Sequence, residues 1–277
     1  MVSSLLAFHA HPDDESVATG VTLAKYADEG HDVVVVTATD GSEGEILNHE
    51  NPEELFPKLA EIRRKELEES LKALGVPTYE WLGYKDSGMM GTEPNNNPDS
   101  FWRQDYFGPV GKLIDCIRKY KPEALITYDP FGGYGHPDHI QTHRVGTAAF
   151  FAAGDEDKFP LKEGQEPWVP ERLYFSSWSK KKVKARREWM LKEGLISEED
   201  FTTYSAIGSV HEDIDVEIEG KKYVQNKIDA WKAHKTQFSD DWWGFNIPDE
   251  YKEEFLGVES YILAFNRGKF DSKSELI

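Results

Sequence analysis

Leu5-Leu6-Ala7-Phe8-His9-Ala10 and, further on, Val33-Val34-Val35-Val36-Thr37-Ala38-Thr39 are the stretches on which the fold turns. Each is a short, nearly unbroken apolar run, and the second is β-branched for four residues. That is the composition of a strand buried on both faces. Between them, residues 16–28 carry apolar side chains at helical spacing through Val17, Leu23 and Ala27, and Gly30 stops the helix. Residues 5–39 therefore read as one β-α-β unit, which implies a parallel sheet with both faces covered.

The alternation continues outward from that unit. Residues 57–74 form a helix rich in i,i+4 charge pairs and stop at Gly75 and Pro77. Residues 79–84 follow as a strand, 105–120 as a helix and 124–128 as a strand. Residues 138–153 are a further helix, with Thr147, Ala148 and Phe151 on its apolar face. After about residue 155 the pattern weakens to a strand at 172–178, a helix at 180–194, a strand at 213–218, a helix at 221–237 and a strand at 259–265. The charges Lys180-Lys181-Lys182, Arg186 and Arg187 read as a solvated helix face, and the polar tail 269–277 is expected to fray. The expected class is α/β: a Rossmann-like, mostly parallel sheet with helices on both faces and a C-terminal α/β decoration. The chain reads as a single domain over 1–277, with its core at about 1–155 and the decoration at about 156–277.

Charge removes several function classes. With 51 acidic against 32 basic residues the formal charge is −19, which disfavours nucleic acid and anionic membrane surfaces alike. The single cysteine, Cys116, excludes an internal disulfide and a thiolate-rich metal site, and its spacing from Leu113 places it in the core. No run reaches the length of a membrane span, and Met1 to Phe8 carries no basic region, so a cytoplasmic protein is expected.

Ligands of open parallel sheets bind beyond the carboxyl ends of the strands. The first strand leads into His11-Pro12-Asp13-Asp14-Glu15 and the second into Asp40-Gly41-Ser42-Glu43-Gly44-Glu45. The third leads into Lys85-Asp86-Ser87-Gly88, and the fourth into Gly132-Gly133-Tyr134-Gly135-His136-Pro137-Asp138-His139. The first and fourth clusters together hold three histidines and three aspartates, a donor set for catalytic zinc or non-haem iron. Asp13 and Asp14 are adjacent, so one can ligate while the other faces a bound water; spacing does not say which. Nor does it choose between His136 and His139 as ligand. His9 and His143 read as supporting residues, while Glu15, Asp40, Glu43 and Glu45 either orient ligands or are solvated. Trp242, Trp243 and Phe245 belong either to the core or to a sugar-stacking rim. The glycines 132, 133 and 135 do not form G-x-G-x-x-G, and no G-x-S-x-G is present, which sets aside a nicotinamide enzyme and a serine hydrolase.

AHPDDE at 10–15 followed by HPDH at 136–139 resembles the LmbE/PIG-L family of zinc-dependent N-deacetylases. Segments 127–143 (TYDPFGGYGHPDHIQTH), 85–92 (KDSGMMGT) and 233–237 (AHKTQ) are similar to its branch of mycothiol-biosynthesis deacetylases and mycothiol S-conjugate amidases. The resemblance implies zinc, with iron(II) as the second option, held by His11, Asp14 and His139. It implies Asp13 as general base, and His136 as the group that stabilises the oxyanion or protonates the leaving amine, with Asp138 as its charge partner. Tyr134 is implied as a mobile oxyanion donor, and Arg63 and Asp86 as contacts to sugar hydroxyls. The implied reaction is removal of the N-acetyl group from a GlcNAc-type glycoside, such as a GlcNAc-inositol. The alternatives are cleavage of a mycothiol S-conjugate, or deacetylation of another GlcNAc glycoside or chitooligosaccharide. Ala18 matches neither activity, segment 83–91 leans to the deacetylase, and segments 26–31 and 44–48 resemble the amidase. The implied partner is a small acetamido sugar, with room for a homo-oligomer. A metal-free sugar-binding protein would be favoured by loss of a ligand or the base, and all four are present.

Overall fold

The apolar runs become the middle of one sheet. The computed structural model of the chain describes residues 3–203, 210–212 and 214–277. In chain order its elements are β1 (Ser4–His9), α1 (Asp14–Ala18), α2 (Gly20–Asp28), β2 (Asp32–Thr39), α3 (Leu59–Leu74), β3 (Thr78–Tyr84), α4 (Phe107–Tyr120), β4 (Ala124–Tyr128) and α5 (Pro137–Ala152). There follow β5 (Arg172–Ser179), α6 (Lys180–Lys192), α7 (Glu198–Thr203), β6 (Val210–His211), β7 (Val216–Glu219), α8 (Val224–Ala233), α9 (Asp249–Leu256) and β8 (Val258–Asn266). Sheet order is β3-β2-β1-β4-β5-β8-β7, with β6 beside β5. The first five strands run parallel, and β8 and β7 add antiparallel pairings.

The period of two in a strand explains why β1 and β2 are apolar throughout. Leu5, Ala7, Val33 and Val35 pack on one face with Leu23 of α2 and Leu67, Leu71 and Leu74 of α3. Leu6, Phe8, Val34 and Val36 pack on the other with Leu113 and Ile117 of α4 and Val145 and Phe150 of α5. A third apolar cluster joins Trp189 of α6, Ile228 and Trp231 of α8 and Leu256 of α9; Trp242, Trp243 and Phe245 pack against it. This places those three aromatics with the core reading.

Several local expectations are corrected. The helix expected at 16–28 breaks at Thr19, whose hydroxyl donates 2.9 Å back to the Glu15 carbonyl. On α5 the inward residues are Val145, Ala149 and Phe150, whereas Phe151 is half exposed. The helix expected at 221–237 stops at Ala233, freeing residues 234–237 to turn inward. Of the strand expected at 213–218, Asp213 lies outside the described residues. The tail does not fray: Leu276 is fully buried, its N–H donates 2.7 Å to the Tyr26 hydroxyl, and Glu217 N–H donates 2.9 Å to the Lys273 carbonyl.

Cys116 lies in the second apolar cluster, where burial and then Glu80 and Asp115 push its thiol up to about 12. Native protein is expected to resist iodoacetamide at about pH 8 and to be alkylated once denatured. Rapid native labelling by mass spectrometry would contradict that placement.

Candidate active site

The chain winds from β1 out to β3 and returns to β4 on the other side of β1. The carboxyl ends of β1 and β4 therefore flank the crevice at which the winding reverses. His11 to Asp14 leave β1 there. From β4 the chain passes through a glycine-rich turn to His136, which caps α5: its Nδ1 accepts the Asp138 N–H at 3.1 Å, and Pro137 occupies the first helical position. The clusters after β2 and β3 reach the same rim. Asp40 accepts from Lys85 Nζ at 2.8 Å and from the Asp86 N–H at 3.1 Å, and Asp86 accepts from the Glu43 N–H at 3.3 Å. Glu15 and Asp40 are buried, while Glu43 and Glu45 are exposed.

His11, Asp14 and His139 meet at one point. His139 Nε2 is 3.2 Å from His11 Nδ1 and 3.4 Å from Asp14 Oδ1, and His11 Nδ1 is 3.4 Å from Asp14 Oδ2. His11 Nε2 contacts Asp138 Oδ2 at 3.2 Å, and Gly132 packs closely against His139. Against burial, Asp86 and the contacts to Asp138 and Asp14 hold the His11 imidazole well above its usual range, so a cation bound between these donors would displace the proton from His11 Nδ1. Tetrahedral zinc with bonds of about 2.05 Å separates its ligand atoms by about 3.3 Å. The donors fit a small divalent cation in both spacing and chemistry. Burial pushes His139 down to about 4, keeping its imidazole neutral as ligation requires.

His136 and Asp138 diverge from the expected pairing. The Asp138 carboxylate accepts from His11 Nε2, from the Ser87 N–H at 2.8 Å and from the Ser87 hydroxyl, and only its backbone N–H meets His136. Asp138 thus orients His11 and is not the charge partner of His136. Burial, then the neighbouring His11 and His139, push His136 down to about 2, so its ring is neutral with Nε2–H as the donor. Tyr134 is 41% exposed on the glycine-rich turn, and its hydroxyl lies 3.4 Å from His139 Nε2. Tyr128 stacks on His139 at 4.4 Å, and its hydroxyl contacts His9 Nδ1 at 3.1 Å; His143 contacts the Tyr128 carbonyl at 2.8 Å. These contacts give His9 and His143 supporting places.

Asp13 sits beside the three donors in an unusual backbone state. Its φ is 130°, a region that costs a residue with a side chain on the order of 1–3 kcal/mol. Its surroundings dictate that state. The Asp13 N–H donates 2.9 Å to Glu15 Oε2, and its carbonyl accepts from the Ser16 hydroxyl at 2.6 Å. Arg63 Nη2 donates to the Asp13 carboxylate at 2.9 Å and to the Pro12 carbonyl at 2.5 Å, and Nη1 donates to the Gly41 carbonyl at 2.8 Å. Arg63, for which a sugar contact was expected, is buried here with Nη1 and Nη2 bonded to Gly41, Pro12 and Asp13, so it clamps Asp13 from behind. Gly41 is needed there: its φ is 63°, and a Cβ would overlap the guanidinium. Asp86 lies in the cleft floor, 3.6 Å from His11 Nε2.

Sequence reasoning did not single out Tyr128, Ser70 or His234. His234 follows α8, is wholly buried and contacts Glu15 Oε1 at 2.7 Å. The segment AHKTQ that contains it was visible in the sequence, but the helical pattern gave no sign that it turns inward.

Residues 6–150 match the family described as PIG-L, GlcNAc-PI de-N-acetylase. The chain is 38% identical to the 1D-myo-inositol 2-acetamido-2-deoxy-alpha-D-glucopyranoside deacetylase 1 of Catenulispora acidiphila, over 94% of this chain and 83% of that protein. It is 35% identical to the mycothiol S-conjugate amidase of Streptomyces coelicolor, over 94% of this chain and 91% of that one. It also superposes on the N,N'-diacetylchitobiose deacetylase from Pyrococcus horikoshii with a TM-score of 0.65 at 23% identity, over 94% of this chain and 83% of that one, a likeness of fold. No helix among the described residues is long and apolar enough to cross a membrane.

Proposed function

The chain belongs to the PIG-L family, and on that footing we propose that it is a zinc-dependent hydrolase removing the N-acetyl group from a GlcNAc-type glycoside. The observation that carries this reading is the meeting of His11, Asp14 and His139 donors at 3.2–3.4 Å beside the clamped carboxylate of Asp13. A zinc ion held by those three would polarise the acetamide carbonyl and lower the pKa of water towards about 7. Iron(II) is compatible with the same nitrogen and oxygen donors.

The remaining steps belong to the side chains. Asp13 accepts a proton from the attacking water and, having gained it, returns it to the departing amine, so the protons balance. His136 Nε2–H and the Tyr134 hydroxyl donate to the oxyanion, where one preorganised donor is worth about 3 kcal/mol. Asp138 holds His11 in its ligating tautomer. Asp86 accepts a sugar hydroxyl, while the contribution of Arg63 to substrate runs through Asp13. One continuous sheet and the reach of His234 to Glu15 support a single domain over 1–277. We place the enzyme in the cytoplasm, where a lone buried thiol needs no disulfide partner.

The amidase reading stays open because the Streptomyces coelicolor amidase is nearly as similar over the same share of the chain. Acetate release from N-acetylglucosamine, its inositol glycoside and short chitooligosaccharides, measured beside cleavage of a mycothiol S-conjugate, decides between them. Turnover of at least one acetamido sugar is expected. Turnover of the conjugate alone would replace the deacetylase reading and leave the metal chemistry standing.

A further inference from the structure

We propose that His234 is a positioning residue for Asp13, acting through Glu15; the proposal rests on Asp13 being the general base. His234 has no surface exposure and cannot touch substrate. Its reach is through one carboxylate. Glu15 Oε1 takes His234 Nε2 at 2.7 Å and the Ser70 hydroxyl at 2.5 Å, and Glu15 Oε2 takes the Asp13 N–H at 2.9 Å. Glu15 is itself fully buried, so it has no water to settle for if His234 is removed.

The arrangement has the form of a brace. On α3, Arg63 and Ser70 lie two helical turns apart on one face and grip opposite ends of the Asp13–Glu15 stretch. Between them, Glu66 receives the Thr236 N–H at 2.9 Å and the Thr236 hydroxyl at 2.7 Å. Residues 234–237 thus fasten onto the same face of α3 that fastens Asp13, and Gln237 continues to the Glu45 carbonyl at 3.0 Å. Asp13 needs such bracing, because its φ of 130° relaxes when its contacts loosen.

A packing role alone does not explain the residue. His234 Nδ1 is buried and has no hydrogen-bond partner among the described residues. An apolar side chain of similar size would avoid that cost. What the imidazole adds is the Nε2 contact to Glu15, which steers the Asp13 N–H.

The test combines His234→Leu, His234→Gln and His234→Asn. Gln carries a donor near the Nε2 position, whereas Asn carries one only near Nδ1. His234→Leu and His234→Asn are expected to lower kcat about 10–100-fold, with KM within about threefold and metal content unchanged, and His234→Gln to restore most of kcat. In an Asp13→Asn background, His234→Leu should add no further loss, because the residue it positions is already disabled. A separate readout needs no substrate: amide exchange of the Asp13 N–H in metal-free protein should accelerate in His234→Leu and recover in His234→Gln, with the β1 amides unchanged. Equal losses in both backgrounds, or exchange that rises throughout β1, would reduce His234 to a general stabiliser and overturn the proposal. If wild-type protein hydrolyses none of the amides tested, the proposed function fails, and the exchange result alone decides whether His234 positions Asp13.

Discussion

Asp13→Asn is expected to lower kcat by about 10²–10⁴-fold, the usual contribution of a positioned proton acceptor, while one metal per chain remains bound. The amide retains the size of the carboxylate and can still receive the Arg63 donor through its oxygen, so the strained loop should persist. What is lost is the capacity to take a proton. A pH dependence should disappear with it. Burial raises Asp13, Arg63 opposes that and Asp14 adds to it, leaving the carboxyl at about 6. The carboxylate is the active form, so the wild-type rate should climb as pH rises through this value and fall below it. A cation at the neighbouring donors would draw the value down, which puts the acid limb at or below about pH 6. Metal analysis beside the pH–rate profile checks both halves. Loss of metal with activity would exchange the roles of Asp13 and Asp14, and an acid limb that survives in Asp13→Asn would assign it to another group.

The sequence made some of this legible for clear physical reasons. Leu5 to Phe8 and Val33 to Val36 are apolar at every position because helices cover both sheet faces, and that unbroken run identifies a parallel core strand. The strand ends then locate the polar clusters without further knowledge. Local spacing failed where partners come from far away or where direction matters more than distance. His136 and Asp138 are two residues apart at a helix start, and such residues do not face one another, so Asp138 turns to His11 and Ser87. Residues 234–237 read as the last turn of a helix over 221–237, yet the helix stops at Ala233, and buried Glu15 and Glu66 take contacts from His234 and Thr236. Those partners are 219 and 170 residues away, and no window along the chain registers them. Arg63 is a similar case: the resemblance pointed it at sugar hydroxyls, and no local spacing shows that three acceptors, the Gly41 and Pro12 carbonyls and the Asp13 carboxylate, converge on its guanidinium. The tail looked polar on average, and it is anchored by Leu276 and Ile277 on the first apolar cluster, by bonds from the Leu276 N–H to Tyr26 and from the Tyr174 hydroxyl to the Leu276 carbonyl, and by the Glu217–Lys273 bond.

His11→Ala, Asp14→Ala and His139→Ala are each expected to release the metal and to lower activity by roughly 10⁴-fold or more, since a Lewis acid supplies several kcal/mol at the transition state. Each substitution removes one of only three donors and leaves the other two too few for tight binding. Asp138→Asn should behave differently. It leaves all three donors in place and disturbs only the orientation of His11, so metal affinity should weaken by about 10–100-fold instead of vanishing. Metal content after dialysis, a competition titration with a chelator, and activity after zinc is restored separate the two kinds of variant. For wild-type protein, exhaustive chelation should abolish turnover and zinc should return it. Full activity in chelated wild type would remove the metal from the mechanism. Retention of metal by His139→Ala with loss from His136→Ala would move the third ligand to the α5 cap, beside the second cluster of donors formed by His11, Asp86, His136 and Asp138. The observed spacing favours His139, because its Nε2 lies within 3.4 Å of both other donors.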